Sequence, residues 1–579
     1  MILSYQQHLD PLQGTVLGSQ VVSTVLAALP VAVLFWLLVP RRWLAPKAGA
    51  AGALTALAVA VLVYRMPFPM AGMAFLYGAA FGLLPVGWTI FTAMFIYNLT
   101  VETGQFAVVR RSVASLSGDA RVQAVLIGFA FGAFLEGAAG AGTPVAICGA
   151  ILVGLGFDPF LAAVLCLIAN TSPVAYGGLG TPLIVLGGVT GLDTYTLSQM
   201  AGRQLPLLSF LVPLWMVRCL CGWRKTWAVW PVLLTAGGSF ALFQVAFAHA
   251  RTLYNLTDIG GGIFSLLVTA IFLRFWKPRE EWHCSRPAEH PVASALGTEP
   301  SLTASRVILA WAPYLLMSIL LLLSGVVRQR EDVWKQDPAH LPSWAGIQTI
   351  YLWPIPYLDQ QSFRDARLQE GSEPRAEAAV FQFAWLTSPG TPVLLAALLS
   401  IFLLRMSFAQ VWRVFTLTVW QMRIPIPTIA CMLGLSYITR YAGMDATLGM
   451  AFAGTGVLYP FFAPLLGWLG VFLTGTDAGS NALFGSLQKI TANQVYHLTR
   501  LTSAQAQVLI CTSNSTGGVM GKMIDAQSIC VATAATHQVG KEADIFKAVV
   551  WHSITLAALV GLITLLQAYV VPFTRMVPK

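Results

Sequence analysis

The sequence predicts an all-α polytopic membrane protein of about 12 transmembrane helices plus two re-entrant hairpins in two inverted repeats. Three observations predict it. Of the 579 residues, 56% are hydrophobic and 10% are charged, against about 25% charged in an ordinary soluble domain. Two apolar stretches, 122–156 and 460–498, are interrupted by Gly, Ser, Thr and Asn. Irregular backbone is tolerated at membrane depth only where it is buried in protein or lines a cavity. Finally, Lys and Arg recur in alternate loops, the charge signature of a chain that crosses a bilayer repeatedly.

A spanning helix needs about 20 apolar residues. That length places spans near 16–40, 47–64, 70–100, 159–190, 201–218, 227–247, 260–276, 306–326, 379–404, 414–441, 503–535 and 546–571. The first 15 residues are polar and lack a basic n-region, so no cleavable signal peptide is expected and the first apolar run stays as a helix. Basic residues follow every second span: Arg41, Arg42 and Lys47; Arg110, Arg111 and Arg121; Arg218, Arg224 and Lys225; Arg274, Lys277 and Arg279; Arg405 and Arg413; Lys541 and Lys547. These loops share one face if both broken stretches re-enter. By the positive-inside rule that face is cytoplasmic. Both termini and the hydrophilic loop 327–378 then lie on the periplasmic side. The net charge of +10 is spread over short loops, which suits anionic lipid headgroups and not nucleic acid. None of the eight Cys forms a CxxC, and the eight His lack HExxH spacing. No metal and no cofactor are expected.

The two halves resemble one another. Gly132-Ala-Phe-Leu-Glu-Gly137 aligns with Gly470-Val-Phe-Leu-Thr-Gly475, and Val164 to Ser172 aligns with Val508 to Thr516, pairing Asn170 with Asn514 and Gly177 with Gly521. The offset grows by a few residues between hairpin and next span, where insertion is cheap. Repeat 1 covers 16–218, linker spans and a cytoplasmic loop cover 219–305, and repeat 2 covers 306–571. The span count inverts one repeat relative to the other, so hairpin 122–156 enters from the cytoplasm and hairpin 460–498 from outside. Paired broken segments of this kind mark the binding site of a transporter.

The broken segments carry the polar chemistry. Asn170 to Pro182 contains three Gly and two Pro, and a helix interior disfavours each Gly by about 1 kcal/mol and each Pro by about 3 kcal/mol. Unwinding there is expected, with a helix restart at Thr181-Pro182. The second copy, Asn514 to Met523, should unwind in the same way. Freed N–H groups and new helix N-termini favour anions. Lys522 adds a full positive charge whose partner is either an anionic substrate or one of Asp525, Asp477 and Glu136; simple neutralisation and snorkelling are the structural alternatives. Glu136 and Asp477 sit at the two hairpin tips. A carboxyl taken out of water gives up its charge more readily, so either can carry a proton together with an anion; a helix cap or tight turn is the structural alternative. Hydroxyl, amide and glycine positions that can face a small anion are Gly140, Thr143, Asn170, Thr171, Ser172, Tyr176, Gly177, Gly178, Ser480, Asn481, Asn514, Ser515 and Thr516. Glu102 and Arg440 end aligned spans and read as interfacial anchors.

Four motifs resemble the lactate permease family: Phe134 to Pro144 (FLEGAAGAGTP), Ala169 to Thr181 (ANTSPVAYGGLGT), Thr476 to Gln488 (TDAGSNALFGSLQ) and Asn514 to Ser528 (NSTGGVMGKMIDAQS). The resemblance spans roughly 16–571 and is weakest in 277–378. It implies uptake of L-lactate, D-lactate or glycolate with protons, and so a 2-hydroxymonocarboxylate and a proton as partners in the bacterial inner membrane. It also implies an elevator-type motion. Ala141 departs from the bulky aromatic expected at its place, and Asp477-Ala-Gly479 departs from Asp-Thr-Ser. Three rivals remain: sodium-coupled carboxylate uptake, a membrane-embedded enzyme, and a receptor or scaffold. The chain lacks a GxSxG elbow and a phosphate loop, which argues against an enzyme. Duplicated broken helices argue against a scaffold.

Overall fold

The computed structural model describes residues 4–12, 20–38, 40–140, 142–251, 253–283, 303–334, 343–344, 347–365, 376–453 and 455–578. Its main helices are α1 (Gln20–Leu38), α2 (Ala45–Leu62), α3 (Phe68–Glu102), α4 (120–139), α5 (Thr143–Gly154), α6 (Pro159–Ala169), α7 (Gly177–Thr190), α8 (Thr194–Cys221), α9 (Trp230–Ala248) and α10 (Thr257–Phe275), then α11 (Ala304–Trp334). The second half adds α12 (Gly390–Leu403), α13 (Phe408–Met422), α14 (Pro425–Ala442), α15 (Tyr459–Thr474), α16 (Asp477–Val495), α17 (Ser503–Gly521), α18 (Ala526–Ala535) and α19 (Glu542–Tyr569). The protein is a multi-pass, all-α membrane protein.

Among the described residues, nine helices are long and apolar enough to cross a membrane, or ten if the bent pair α13 and α14 counts as one span. The difference from twelve has local causes. α2 and α12 are short. The expected spans 159–190 and 503–535 are each split in two. The start of 379–404 is a strand, with a helix only from Gly390. Both first hairpin arms, Ala120–Gly137 and Gly456–Thr474, are themselves long enough to cross. α3 and α4 each contain a π-helical segment, at Gly82–Gly87 and Val125–Phe131.

Two contacts position the centre. α5 packs on α18, and α16 packs on α7. Both contacts join the first half of the chain to the second. α15 and α17 approach closely because both carry glycine: a Cβ on Gly467 would sit 1.8 Å from the Asn514 carbonyl oxygen, and one on Gly517 2.1 Å from that of Pro464. Small residues serve this purpose between helices in lipid.

Three of the loops expected on one face meet at Arg121. Buried Arg121 donates to the carbonyls of Lys225 (2.7 Å) and Glu280 (2.9 Å) and pairs with Asp119. At the other end, the polar loop contributes short strands. β1 (Tyr5–Gln6) pairs parallel with β5 (Ser362–Phe363), which pairs with β6 (Ala376–Glu377). A hairpin of β2 (Ser343–Trp344) and β3 (Ile347–Gln348) lies in the same loop, and β4 (Tyr351–Pro354) pairs with β7 (Val380–Phe383). The N-terminal segment is thereby pinned to this cap.

Candidate substrate site

Four chain breaks converge at the centre. α4 ends at Ala139, and Gly140 (φ 62°) and Gly142 (φ 81°) turn the chain into α5. Both are left-handed, a conformation that glycine alone adopts at little cost. Ala141 lies outside the described residues. α15 closes on Gly475 (φ 74°), and the Thr476 hydroxyl then accepts the Gly479 N–H at 2.9 Å, capping α16.

The first broken helix departs from expectation in where it restarts. α6 ends at Ala169, a 3-10 turn covers Val174–Tyr176, and α7 begins at Gly177. Its first turn is irregular, because Gly178 (φ 51°) and Gly180 (φ 79°) are left-handed. Thr181 is no N-cap: its hydroxyl donates to the Gly178 carbonyl at 2.6 Å, and Pro182 lies inside the helix. In the second half, 514–521 stay helical and only Lys522 to Asp525 unwind. Gly517 and Gly518 there allow close packing against α15 rather than a break. Asp525 restarts the chain by accepting the Ser528 N–H at 2.7 Å.

A cavity of about 530 Å³ lies where these breaks meet. Glu136, Gly140, Gly177, Gly178, Asp477 and Lys522 all line it. Lys522 is 3% exposed; its Nζ donates to the Gly475 carbonyl at 2.7 Å and lies 3.4 Å from Asp525 Oδ2. The ammonium has three donors, so one remains for a ligand. Asp477 accepts from the Ser515 hydroxyl with Oδ2, while its Oδ1 has no hydrogen-bond partner. Glu136 Oε2 also has none. Glu136 Oε1 crowds Gly177, where a Cβ would approach it to 3.0 Å. The breaks can therefore offer the Lys522 ammonium, the Glu136 and Asp477 carboxyls and exposed backbone to a small polar anion.

The other sequence-predicted residues lie off this cavity. Asn514 is a hub, donating to Asn481 Oδ1 (2.9 Å) and Ser480 Oγ (3.3 Å) and accepting from Gln488 (3.0 Å). Asn481 donates to the Pro182 carbonyl at 3.1 Å, joining hairpin 460–498 to α7. Thr516 donates to Gln204 at 2.7 Å. The Tyr176 hydroxyl donates to the Ser198 carbonyl at 2.8 Å, and Thr171 bonds back to Ile168 at 2.7 Å. Thr143, Asn170 and Ser172 are buried, and their side-chain polar atoms have no hydrogen-bond partner.

Sequence reasoning missed Thr476, Gln527, Trp88, Arg328 and Glu331, which also line the cavity. Arg328 and Glu331 belong to the last turns of α11, which runs past its apolar stretch toward the cap. Their i, i+3 spacing at the end of a span was the available signal. The cap strand β7 and the residues after it complete this outer wall, through Phe381 to Trp385. Glu102 pairs with Arg413 at 3.1 Å at the surface. Arg440 instead lies 3.8 Å from the buried carboxylate of Glu377.

Comparison with known proteins adds an independent line. A family model described as L-lactate permease matches residues 23–571. The chain is 42% identical over 570 residues to the glycolate permease of Escherichia coli (strain K12), covering 97% of this chain and 98% of that protein. It is 42% identical over 585 residues to the L-lactate permease of Bacillus subtilis (strain 168), covering 100% of both. To the L-lactate permease of Salmonella typhimurium it is 40% identical over 578 residues, covering 99% of this chain and 100% of that protein.

Proposed function

The chain belongs to the L-lactate permease family, and from that premise we propose that it imports lactate- and glycolate-type 2-hydroxymonocarboxylates together with protons across the bacterial inner membrane. One observation carries the reading: Glu136, Asp477 and Lys522, from three separate segments, line a single cavity. The substrate carboxylate binds the free donor of Lys522 and the backbone at Gly177 and Gly178. Gly140 closes the opposite wall. Glu136, and with it Asp477, carries the proton. Thr171, Tyr176, Ser480, Asn481, Asn514, Ser515 and Thr516 act by fixing the breaks; Asn170 lies beside Glu136, and Thr143 and Ser172 are buried with their hydroxyls unpartnered.

Two inverted repeats, 16–218 and 306–571, fit this reading. The exchanged contacts α5 with α18 and α16 with α7 are what a pseudo-twofold relation generates. Both termini and the cap face the periplasm in this arrangement, and the two hairpins enter from opposite sides.

The test is uptake of labelled lactate and glycolate into proteoliposomes under an inward proton gradient. Accumulation that collapses with the gradient and ignores sodium is the expected result. Sodium-dependent accumulation, or none under any gradient, refutes the reading. Glu136→Gln should keep exchange of internal for external lactate and lose net accumulation.

A further inference from the structure

The cavity that holds Glu136, Asp477 and Lys522 has a second wall of a different kind. At about 30 Å³ for each water-sized group, its volume of about 530 Å³ holds several times the atoms of lactate. Aromatic and aliphatic side chains bound the extra space. Phe81, Leu84 and Trp88, spaced by three and four residues, share one face of α3 across its π-helical segment. Phe381, Phe383 and Trp385 join them from β7 and the residues after it.

These rings offer carbon and little else. The Trp88 Nε1 donates to the Thr391 hydroxyl at 3.3 Å, and Thr391 in turn donates to the Trp385 carbonyl at 2.6 Å. The Trp385 Nε1 donates to the Gln348 carbonyl at 2.8 Å. An indole has one donor and no acceptor, so neither ring keeps a polar atom for a ligand. The wall is also braced. A Cβ on Gly390 would lie 2.4 Å from Trp88 Cδ1, so glycine there is what seats the indole against α12. Phe383 stacks on Trp353 with ring centroids 5.2 Å apart.

Passage of a hydrated anion gains nothing from rings whose polar atoms are bonded elsewhere. An apolar group gains in proportion to the area it removes from water. Glycolate has no side chain to place there, and lactate has only a methyl. Arg328 and Glu331 of α11 line the same cavity, one basic and one acidic, so the pair gives a second carboxylate on the side chain no net attraction. The cavity thus matches a carboxylate and hydroxyl at the chain breaks, with an apolar side chain against α3 and the cap.

We propose that the protein binds and carries 2-hydroxymonocarboxylates with branched apolar side chains, and prefers them to lactate. This inference rests on the transport reading above and names its substrate class more closely.

The test is competition against uptake of labelled glycolate in proteoliposomes under an inward proton gradient. The competitors are lactate, 2-hydroxyisocaproate (an isobutyl side chain) and malate (a second carboxylate). Labelled 2-hydroxyisocaproate is then offered as substrate, counting only uptake that excess glycolate abolishes, because the free acid crosses lipid unaided. If neither glycolate nor lactate is taken up, the transport reading fails and this inference falls with it. With uptake of both established, 2-hydroxyisocaproate is expected to half-inhibit at a concentration about fivefold or more below lactate, and to be taken up itself. Half-inhibition no lower than that of lactate overturns the inference alone. So does inhibition without uptake, and so does stronger competition by malate. In Trp88→Ala the ratio of half-inhibition by lactate to that by 2-hydroxyisocaproate should fall about threefold or more, whatever happens to the rate of uptake. An unchanged ratio in the folded variant overturns the inference. Should Trp88→Ala not fold, Phe383→Ala reads the same ratio with the same two outcomes.

Discussion

Lys522 stands at the centre of the site because its surroundings leave it partly unsatisfied. One donor goes to Gly475 and a second faces Asp525. A hydrogen bond to a charged group contributes about 1.5–3 kcal/mol. Lys522→Gln should therefore weaken lactate binding by roughly tenfold to a hundredfold, read from half-saturation of uptake in folded, monodisperse protein. Unchanged half-saturation would assign Lys522 to Asp525 alone. Arg328 acts further out, where the last turns of α11 meet the cap. Arg328→Gln should raise half-saturation a few-fold at low ionic strength and much less at high salt, because steering by an outer charge is screened. A salt-independent effect would place Arg328 in direct contact with substrate. At this scale the sequence was half legible. Glu136, Asp477 and Lys522 stood out as charges in apolar runs. Asn514, Asn481 and Thr516 looked the same on paper, yet their polar atoms are consumed by one another and by Gln204. Which amide faces a ligand and which faces another amide depends on packing between segments far apart in sequence.

At the scale of elements, glycine served two purposes that composition does not separate. Gly140, Gly142 and Gly475 adopt positive φ and make breaks. Gly517 and Gly467 keep helical geometry and let α15 touch α17. This is why the second break shrank to Lys522–Asp525 while the first spans Asn170 to Tyr176. The distinction is testable. Gly517→Ala places a methyl where the Pro464 carbonyl already lies, and overpacking of this kind costs about 1–3 kcal/mol. The variant should melt at lower temperature in detergent and lose transport in proportion to folded protein. Gly188→Ala, on α7, meets nothing within 4 Å and should leave melting unchanged or slightly raised, since Ala favours helix over Gly by about 1 kcal/mol. Equal destabilisation by both would remove the packing explanation for Gly517.

At the scale of the whole molecule, hydropathy located nearly every helix but not what joins them. The strand pairing of Tyr5–Gln6 with Ser362–Phe363 links segments that no local pattern connects. The cap is fastened by charge as well. Arg364 Nε bonds Glu377 at 2.6 Å, and its Nη2 donates to the Ala482 carbonyl on α16 at 3.1 Å. Arg440 approaches the same carboxylate from α14, and Gln7 donates to the Tyr441 carbonyl at 3.2 Å. Glu377 thus ties the cap to α14 through Arg364 and Arg440, Arg364 extends the link to α16, and Gln7 adds the N-terminal segment. Burial alone would raise the Glu377 carboxyl, but Arg364 and Arg440 outweigh it and hold it below the usual carboxylate range. A depressed folded value means that the stabilisation is complete above the unfolded carboxylate value, about 4.3, and is lost as pH falls through the lower folded value. Wild-type melting temperature in detergent should therefore drop steeply below about pH 4. Glu377→Gln should cost about 2–3 kcal/mol at neutral pH, less than a fully buried pair because both guanidiniums keep some contact with water. It should also flatten the acid limb of the melting curve, since the titrating group is gone. Parallel acid limbs in wild type and variant would show that some other carboxylate fastens the cap.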